Sequence, residues 1–304
     1  METSVYLSGK ELKIAVGNAS PKGFAIKSFI SVPMPAGTMI NGIITSDLEI
    51  KKLLAEVWSK YKLPKKNISI TIDSGSILLK SMVVPITNED NLTDIIKREF
   101  SDLDNTEEML FDYSIEKPHV EGGGAMIVMY AVEKSLIGSY VDLFSEIKGA
   151  RIKSIAPAQN SCMKLMRMCG EMSQKTAILA VLDGNMLSLM LFVNGAYRFS
   201  NRSRLISERG TPEISDEISS ALSYIIQFNR SERSGFDVTD IYFCGITEED
   251  NSLINMMSLL FDKQNVEKFP YLDKRINLKK SKLFPLQSFE PTDYVFCLGN
   301  IIKN

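Results

Sequence analysis

A chain of 304 residues has room for about two domains. Its 44% apolar and 24% charged residues are those of an ordinary globular protein, which excludes a disordered or fibrous chain. The net charge of −2 supplies no global field that would favour nucleic acid or an anionic lipid surface.

Three short apolar or alternating runs open the chain, Val5–Leu7, Leu12–Val16 and Phe24–Phe29. Gly9 and the Gly17 to Gly23 stretch separate them, which predicts a meander of strands. Residues 31–45 form a Pro- and Gly-punctuated connection. Ser46-Asp47-Leu48-Glu49 reads as a capping box. Ile50, Leu53, Leu54, Val57, Trp58 and Tyr61 follow on one helical face. Ile68–Ile72 is expected as the fourth strand of this first unit.

Leu78–Val84, ended by Pro85, predicts a strand that opens a separate module. Leu92, Ile95, Ile96, Phe100 and Leu103 give a helix, and Met109–Ile115 and Ala125–Val132 give strands joined through Gly122–Gly124. Leu136, Ile137, Tyr140, Val141, Phe144 and Ile147 give a second helix, and Arg151–Ile155 a last strand. The order, β-α-β-β-α-β, reads as an insertion into the first domain. Ala158–Cys169 then reads as a helix, with Pro157 at its start and Gly170 past its end.

Between Lys175 and Arg202 the strand pattern of the N-terminus returns. Thr176–Val181, Leu187–Val193 and Ala196–Asn201 are three strands around the turns Asp183-Gly184-Asn185 and Asn194-Gly195. A helix starts at Thr211-Pro212 and carries Ile214, Ile218, Ala221, Leu222, Ile225 and Phe228 on one face. Asp240–Phe243 is the next strand, and Leu253, Ile254, Met257 and Phe261 mark a further helix. Tyr271–Pro291 is polar and irregular, and Tyr294–Lys303 is apolar enough to pack on the body.

Two copies of strand-strand-strand-helix-strand predict an α/β protein with the duplicated actin-like, ribonuclease-H-like fold. The expected units are residues 1–77 with 156–173, an inserted subdomain at 78–155, and a second half at 174–304. Fold alone does not settle function here, because kinases, chaperones and filament proteins share it.

Insertion after the fourth strand, and not between the third strand and the helix, resembles FtsA and, more closely, PilM, the type IV pilus assembly family. The resemblance covers nearly the whole chain. It rests on the order of NGIITSDLEIKKLL, LLKSMVVPITNEDNLTDIIKREF, the third strand with Asn194, Gly195, Phe199 and Arg202, and the closing YVFCLGNIIK with Gly299.

Relatives that bind ATP use two hairpin phosphate loops whose acids orient the metal. Aligning Lys13 with the Lys of the first loop puts Tyr6 where its Asp belongs and Ser8 where its Gly belongs, with Gly9 nearby. Asp183-Gly184 stands at the second loop, read either as its remnant or as a plain hairpin turn. One glycine, Gly245, stands where the adenosine side would have two. Only 8 residues separate Arg202 from Thr211, where relatives carry a small subdomain. Gly9, Lys13, Asp183, Gly184 and Gly245 are therefore the residues of a vestigial nucleotide site. ATP with magnesium is disfavoured, no cofactor is expected, and the chain is expected not to be an enzyme.

The resemblance implies a cytoplasmic scaffold at the inner face of the membrane, in a pilus or type II secretion-like machine. Such a scaffold holds the short cytoplasmic segment of a PilN-like membrane protein between the first domain and the insert, and contacts the assembly ATPase. Leu79, Ser81, Val83, Pro85 and Glu99 are the candidate groove residues. Glu99 is also readable as a stripe-edge residue or a partner of a nearby Lys or Arg. An active ATP-binding FtsA-like filament protein, or an actin-fold kinase, is the alternative.

Other features have plain readings. Cys162, Cys169, Cys244 and Cys297 form no CxxC pair and lie in apolar runs, as core residues of a reducing compartment. The one histidine, His119, falls in a polar loop, so no metal site of soft ligands is expected. Lys274–Lys282 is a basic run, readable as a solvated loop or as a contact with anionic lipid. No apolar run reaches ~18 residues and no cleavable leader is visible, so any membrane association is expected through a partner.

Overall fold

A computed structural model of the chain describes residues 1–86, 88–232, 235–247, 250–278, 281–284 and 289–303. β1 (Glu2–Leu7), β2 (Glu11–Ser20) and β3 (Gly23–Pro33) form the antiparallel meander, and β6 (Ile68–Ile72) lies parallel to β1. A small hairpin of β4 (Met39–Ile40) and β5 (Ile43–Ile44) precedes helix α1 (Asp47–Tyr61). Ser46 does stand at the N-cap of α1, but its side chain makes no capping bond. The capping box is not formed. Asp47 instead pairs with Lys51 one turn on, and Lys51 also reaches Asp142.

The insert is shorter than its sequence suggests. β7 (Leu78–Val84), α2 (Glu89–Glu99), β8 (Met109–Lys117) and β9 (Ala125–Glu133) make a three-stranded sheet in the order β7-β9-β8. α3 (Lys134–Asp142) and β10 (Ile152–Pro157) do not belong to it. β10 pairs in parallel with β6. The apolar residues after β9, Leu136, Tyr140, Leu143, Phe144 and Ile147, join the core under α1. A β-α-β-β-α-β order is equally compatible with a closed module and with a chain that leaves the module, and burial decides.

α4 (Ala158–Met168) leads to the second half, where β11 (Ala177–Asp183), β12 (Met186–Val193), β13 (Ala196–Arg204), α5 (Pro212–Ser231), β14 (Asp240–Cys244), α6 (Asn251–Leu260) and β15 (Asn265–Lys268) build a sheet in the order β13-β12-β11-β14-β15. β13 passes to α5 through residues 205–211, with no element of a further subdomain. The chain then returns to the first half. β16 (Lys282–Phe284) pairs with β3, completing the order β10-β6-β1-β2-β3-β16, and α7 (Val295–Ile301) packs on α4. Residues beyond 271 are thus not confined to the second half.

Period-2 alternation sorts every long strand into two faces. Val5, Leu7, Leu12 and Ile14 face α1 and α3, while Ile178, Ala180 and Leu182 face α5 and α6. Tyr6, Ala15, Leu179, Val181 and Met190 face inward, onto α4 and α7. One apolar core therefore runs from the first sheet through α4 and α7 to the second. All four cysteines, Cys162, Cys169, Cys244 and Cys297, are free and buried, and all four belong to this core. No helix among the described residues is long and apolar enough to cross a membrane.

Candidate functional site

The cleft between the halves lies where the β1–β2 hairpin faces the β11–β12 hairpin. The second hairpin turns on Gly184-Asn185, with φ of 60° at Gly184. Glycine at the first central position of a two-residue loop is what that turn demands. Strand parity then fixes what enters the cleft. Tyr6, Lys13, Asp183 and Ser188 fall on the inter-half face of their strands, and Asp73, one residue past β6, continues that face.

Asp183 is taken at both oxygens. Tyr6 Oη donates to Oδ2 at 2.8 Å, and Lys13 Nζ lies 3.3 Å from Oδ1. All three residues are buried. Burial alone would pull the Lys13 ammonium down, but Asp183 outweighs it and holds the ammonium above its ordinary value. Burial likewise opposes the Asp183 charge, and Lys13 and the Tyr6 hydroxyl overcome it, leaving the carboxyl below its usual range. Burial and then Asp183 push Tyr6 far up, so it stays a neutral donor.

A second set closes the other side. Asp73, just past β6, accepts from Arg202 Nε at 2.8 Å and from Ser188 Oγ at 3.1 Å. Its Oδ1 has no partner among the described residues. Burial pushes Asp73 up even against Arg202. Past β14, Arg209 donates to Asp250 and, at 2.6 Å, to the Gly245 carbonyl.

Two cavities, of about 360 Å³ and about 860 Å³, open along this cleft. Lys13, Asp183, Gly184 and Gly245 line the smaller, and Gly9, Asp183 and Gly184 the larger. The structure thus gathers all five sequence-predicted residues at one place. It also gives each glycine a local reason. Gly245 has φ of 72°, and a Cβ there would overlap the Leu182 carbonyl oxygen. A Cβ at Gly9 would stand 3.0 Å from the Met39 carbonyl oxygen.

Both oxygens of Asp183 are taken, by Tyr6 and Lys13, and Arg209 with Asp250 closes the end of β14. Sequence reasoning missed Asp73, Arg209 and Asp250. Asp73 was findable, as the polar residue ending an alternating strand.

A third cavity, of about 990 Å³, lies between the first half and the insert. The β2–β3 hairpin, α4 and Ile302 form one wall, and α2 and β8 the other. Leu79, Ser81, Val83, Pro85 and Glu99 do not line it. Leu79 is half-buried against the main cores, Ser81 Oγ is buried without a partner, and Val83 and Pro85 are exposed. Glu99 is half-buried, and its carbonyl accepts from Lys80. β7 and β8 are both edges of the insert sheet, and the wide groove runs along β8.

His119 is exposed on a turn, and no cluster of metal-ligating side chains occurs among the described residues. In the basic run, Lys279 and Lys280 lie outside the described residues. Arg275 is paired with Glu171 at 2.8 Å.

A family model described as type IV pilus assembly protein PilM matches residues 5–202, about two thirds of the chain. No curated protein matches in sequence. Among solved structures, a PilM-PilN type IV pilus biogenesis complex superposes with a TM-score of 0.73 at 15% identity, over 99% of this chain and 97% of that one. A Bacteroides thetaiotaomicron protein of actin-like ATPase fold and unknown function gives 0.56 at 12% identity, covering 91% and 92%. The ethanolamine utilization protein EutJ of Carboxydothermus hydrogenoformans gives 0.51 at 7%, covering 99% and 88%. At these identities the likeness carries the actin-like fold.

Proposed function

Since the chain belongs to the PilM family of type IV pilus assembly proteins, we propose that it is a scaffold of the pilus assembly platform that works without hydrolysing ATP. It holds the short cytoplasmic segment of a PilN-like membrane protein in the groove between β8 and α4. It stands in the cytoplasm at the inner face of the membrane, anchored by that partner and in reach of the assembly ATPase. A linear segment laid in a preformed groove needs no catalysis.

The observation that carries the scaffold reading is the state of Asp183. Asp183, the acid of the second hairpin, is held by Tyr6 at 2.8 Å and Lys13 at 3.3 Å. A magnesium ion drawing on Asp183 would have to displace both partners and break a buried ion pair, which costs about 3 kcal/mol or more where nothing replaces it.

Thermal unfolding with and without millimolar Mg-ATP tests this. A ligand at 100 times its Kd would add about 2.7 kcal/mol and shift the midpoint by several degrees. No shift is expected. A magnesium-dependent rise would favour the second reading, an ATP-binding protein. The cationic lining of the larger cavity, Lys10, Arg204 and Arg209, is the feature on its side.

A further inference from the structure

The net charge of −2 hides one face that is strongly basic. A cavity of about 570 Å³ opens where the C-terminal turn of α1 meets β3 and β16. Lys27, Lys60, Lys62 and Lys282 line it, all exposed, and no acid lines it among the described residues. They come from three separate segments, so the chain alone does not show the grouping. Glu56, one helical turn before Lys60, is the only acid within four residues of any of them. Lys65 and Lys66 continue the exposed basic stretch after Lys62.

The fold explains part of this. Lys60 suits the negative end of α1 and lies over the Tyr61 ring at 5.3 Å. Lys62 has no such reason. It caps α1 with φ of 51° and ψ of 50°, the left-handed position that glycine fills with least strain. Like charges gathered around one cavity also repel one another. A strained cation inside a cationic cluster points to a ligand outside the chain.

Apolar side chains stand among these cations. Met1 and Phe284 line the same cavity and are both exposed, and Phe284 packs on Tyr61 with ring centroids 5.0 Å apart. Lysines around an exposed aromatic ring suit a bilayer interface, where ammonium groups meet lipid phosphates and apolar tips enter the headgroup boundary. The position also fits. Met1 and Val16 lie at the end of β1 and β2 opposite the hairpin that faces the cleft, so this face is at the far end of the sheet from the cleft.

We propose that this face docks on an anionic lipid surface, with Lys27, Lys60, Lys62 and Lys282 against lipid phosphates and Phe284 at the headgroup boundary. The reading of the chain as a platform scaffold beside a membrane decides for a bilayer over another polyanion, and the proposal rests on it in that respect. The membrane-bound partner anchors the chain, and the lysines set which side of it meets the membrane.

The test is flotation of the full chain with vesicles of phosphatidylglycerol and phosphatidylcholine, and with vesicles of phosphatidylcholine alone. The chain should float with the anionic vesicles only, and less so at raised salt. Lys27→Gln with Lys282→Gln, and Lys60→Gln with Lys62→Gln, should each weaken partition about tenfold. Lys97→Gln with Lys263→Gln removes as much charge from exposed lysines elsewhere and should leave partition unchanged. Lys62→Gly should bind vesicles less and melt no lower than the unmodified chain, which separates lost binding from lost fold. No flotation with anionic vesicles overturns the proposal. Equal loss in the Lys97 and Lys263 control also overturns it, since net charge alone would then be at work. Binding of a short DNA duplex that the same variants lose, with vesicles left unbound, gives the face to nucleic acid and overturns it as well. None of these results touches the scaffold reading, whose test is the response to Mg-ATP.

Discussion

At the scale of residues, the cleft is governed by the rule that a buried charge must be paired. Lys13 and Asp183 come from sheets of different halves and are both buried, so each is the other's reason for staying ionised. Asp183→Ala should destabilise the chain by about 3 kcal/mol in a urea titration, because the Lys13 ammonium loses its buried partner and keeps only Glu11 at 3.5 Å, and the Tyr6 hydroxyl loses its acceptor. The paired replacement Lys13→Met with Asp183→Leu should cost less than that single change, since no buried ammonium is then left without Asp183. Asp293, in the same cavity, has the opposite habit. Burial outweighs the attraction of Lys13 and pushes its carboxyl up to about 6. Between the ordinary carboxyl value near 4 and about 6, the folded chain binds a proton that the unfolded chain does not. Stability from this group is therefore lost as pH rises through that window. Asp293→Asn should match the unmodified chain near pH 4. By pH 7.5 it should exceed it, by on the order of 1–2 kcal/mol, in paired urea titrations across pH.

At the scale of elements, the closest contact is between α4 and α7. Gly299 lies where a Cβ would overlap the carbonyl oxygen of Ser161, so the two helices meet backbone to backbone. Gly299→Ala should lower stability by at least about 2 kcal/mol, measured by thermal or urea unfolding, although alanine favours an isolated helix. That glycine was legible in YVFCLGNIIK as a small residue in an apolar stretch, but its reason was not. The neighbour that needs it lies about 140 residues away. The same limit explains the other differences. Periodicity located the strand meander, α1, β6 and the hairpins at Gly184 and Asn194-Gly195, because these depend on residues close in the chain. It could not assign α3 and β10 to the first core, or β16 to β3, since an apolar stripe does not say which sheet covers it. In the cleft, Tyr6, Lys13 and Asp183 were visible as departures from a phosphate-loop pattern. That they bond to one another needed the fold.

At the scale of the whole molecule, the inward faces of both sheets and the pair α4–α7 share one core. Parting the halves would expose Leu179, Met190, Phe192, Phe296 and Leu298, all essentially inaccessible, and break the Lys13–Asp183 and Arg202–Asp73 pairs. Apolar burial and ion pairs join the two walls of the cleft. The two halves should therefore melt together, with calorimetric and van't Hoff enthalpies in agreement over that transition. The insert is held differently. Its own core is small, centred on Val84, Leu92, Ile96, Phe100, Ile127 and Met129. Val128 and Tyr130 of β9 join the main core, and its polar ties to the second half include Lys117 to the Asn194 carbonyl at 3.1 Å and the Tyr197 N–H to Glu116 at 3.1 Å. Native-state hydrogen exchange should accordingly show amides of β7 and β8 opening at lower free energy than those of β1, β6 and β11. Occupation of the β8 groove by a partner segment should protect β8 and α4 together, because that groove has one wall on the insert and one on the main body. Protection of β8 alone would mean that the partner binds the insert without reaching α4, and that the two walls do not form one site.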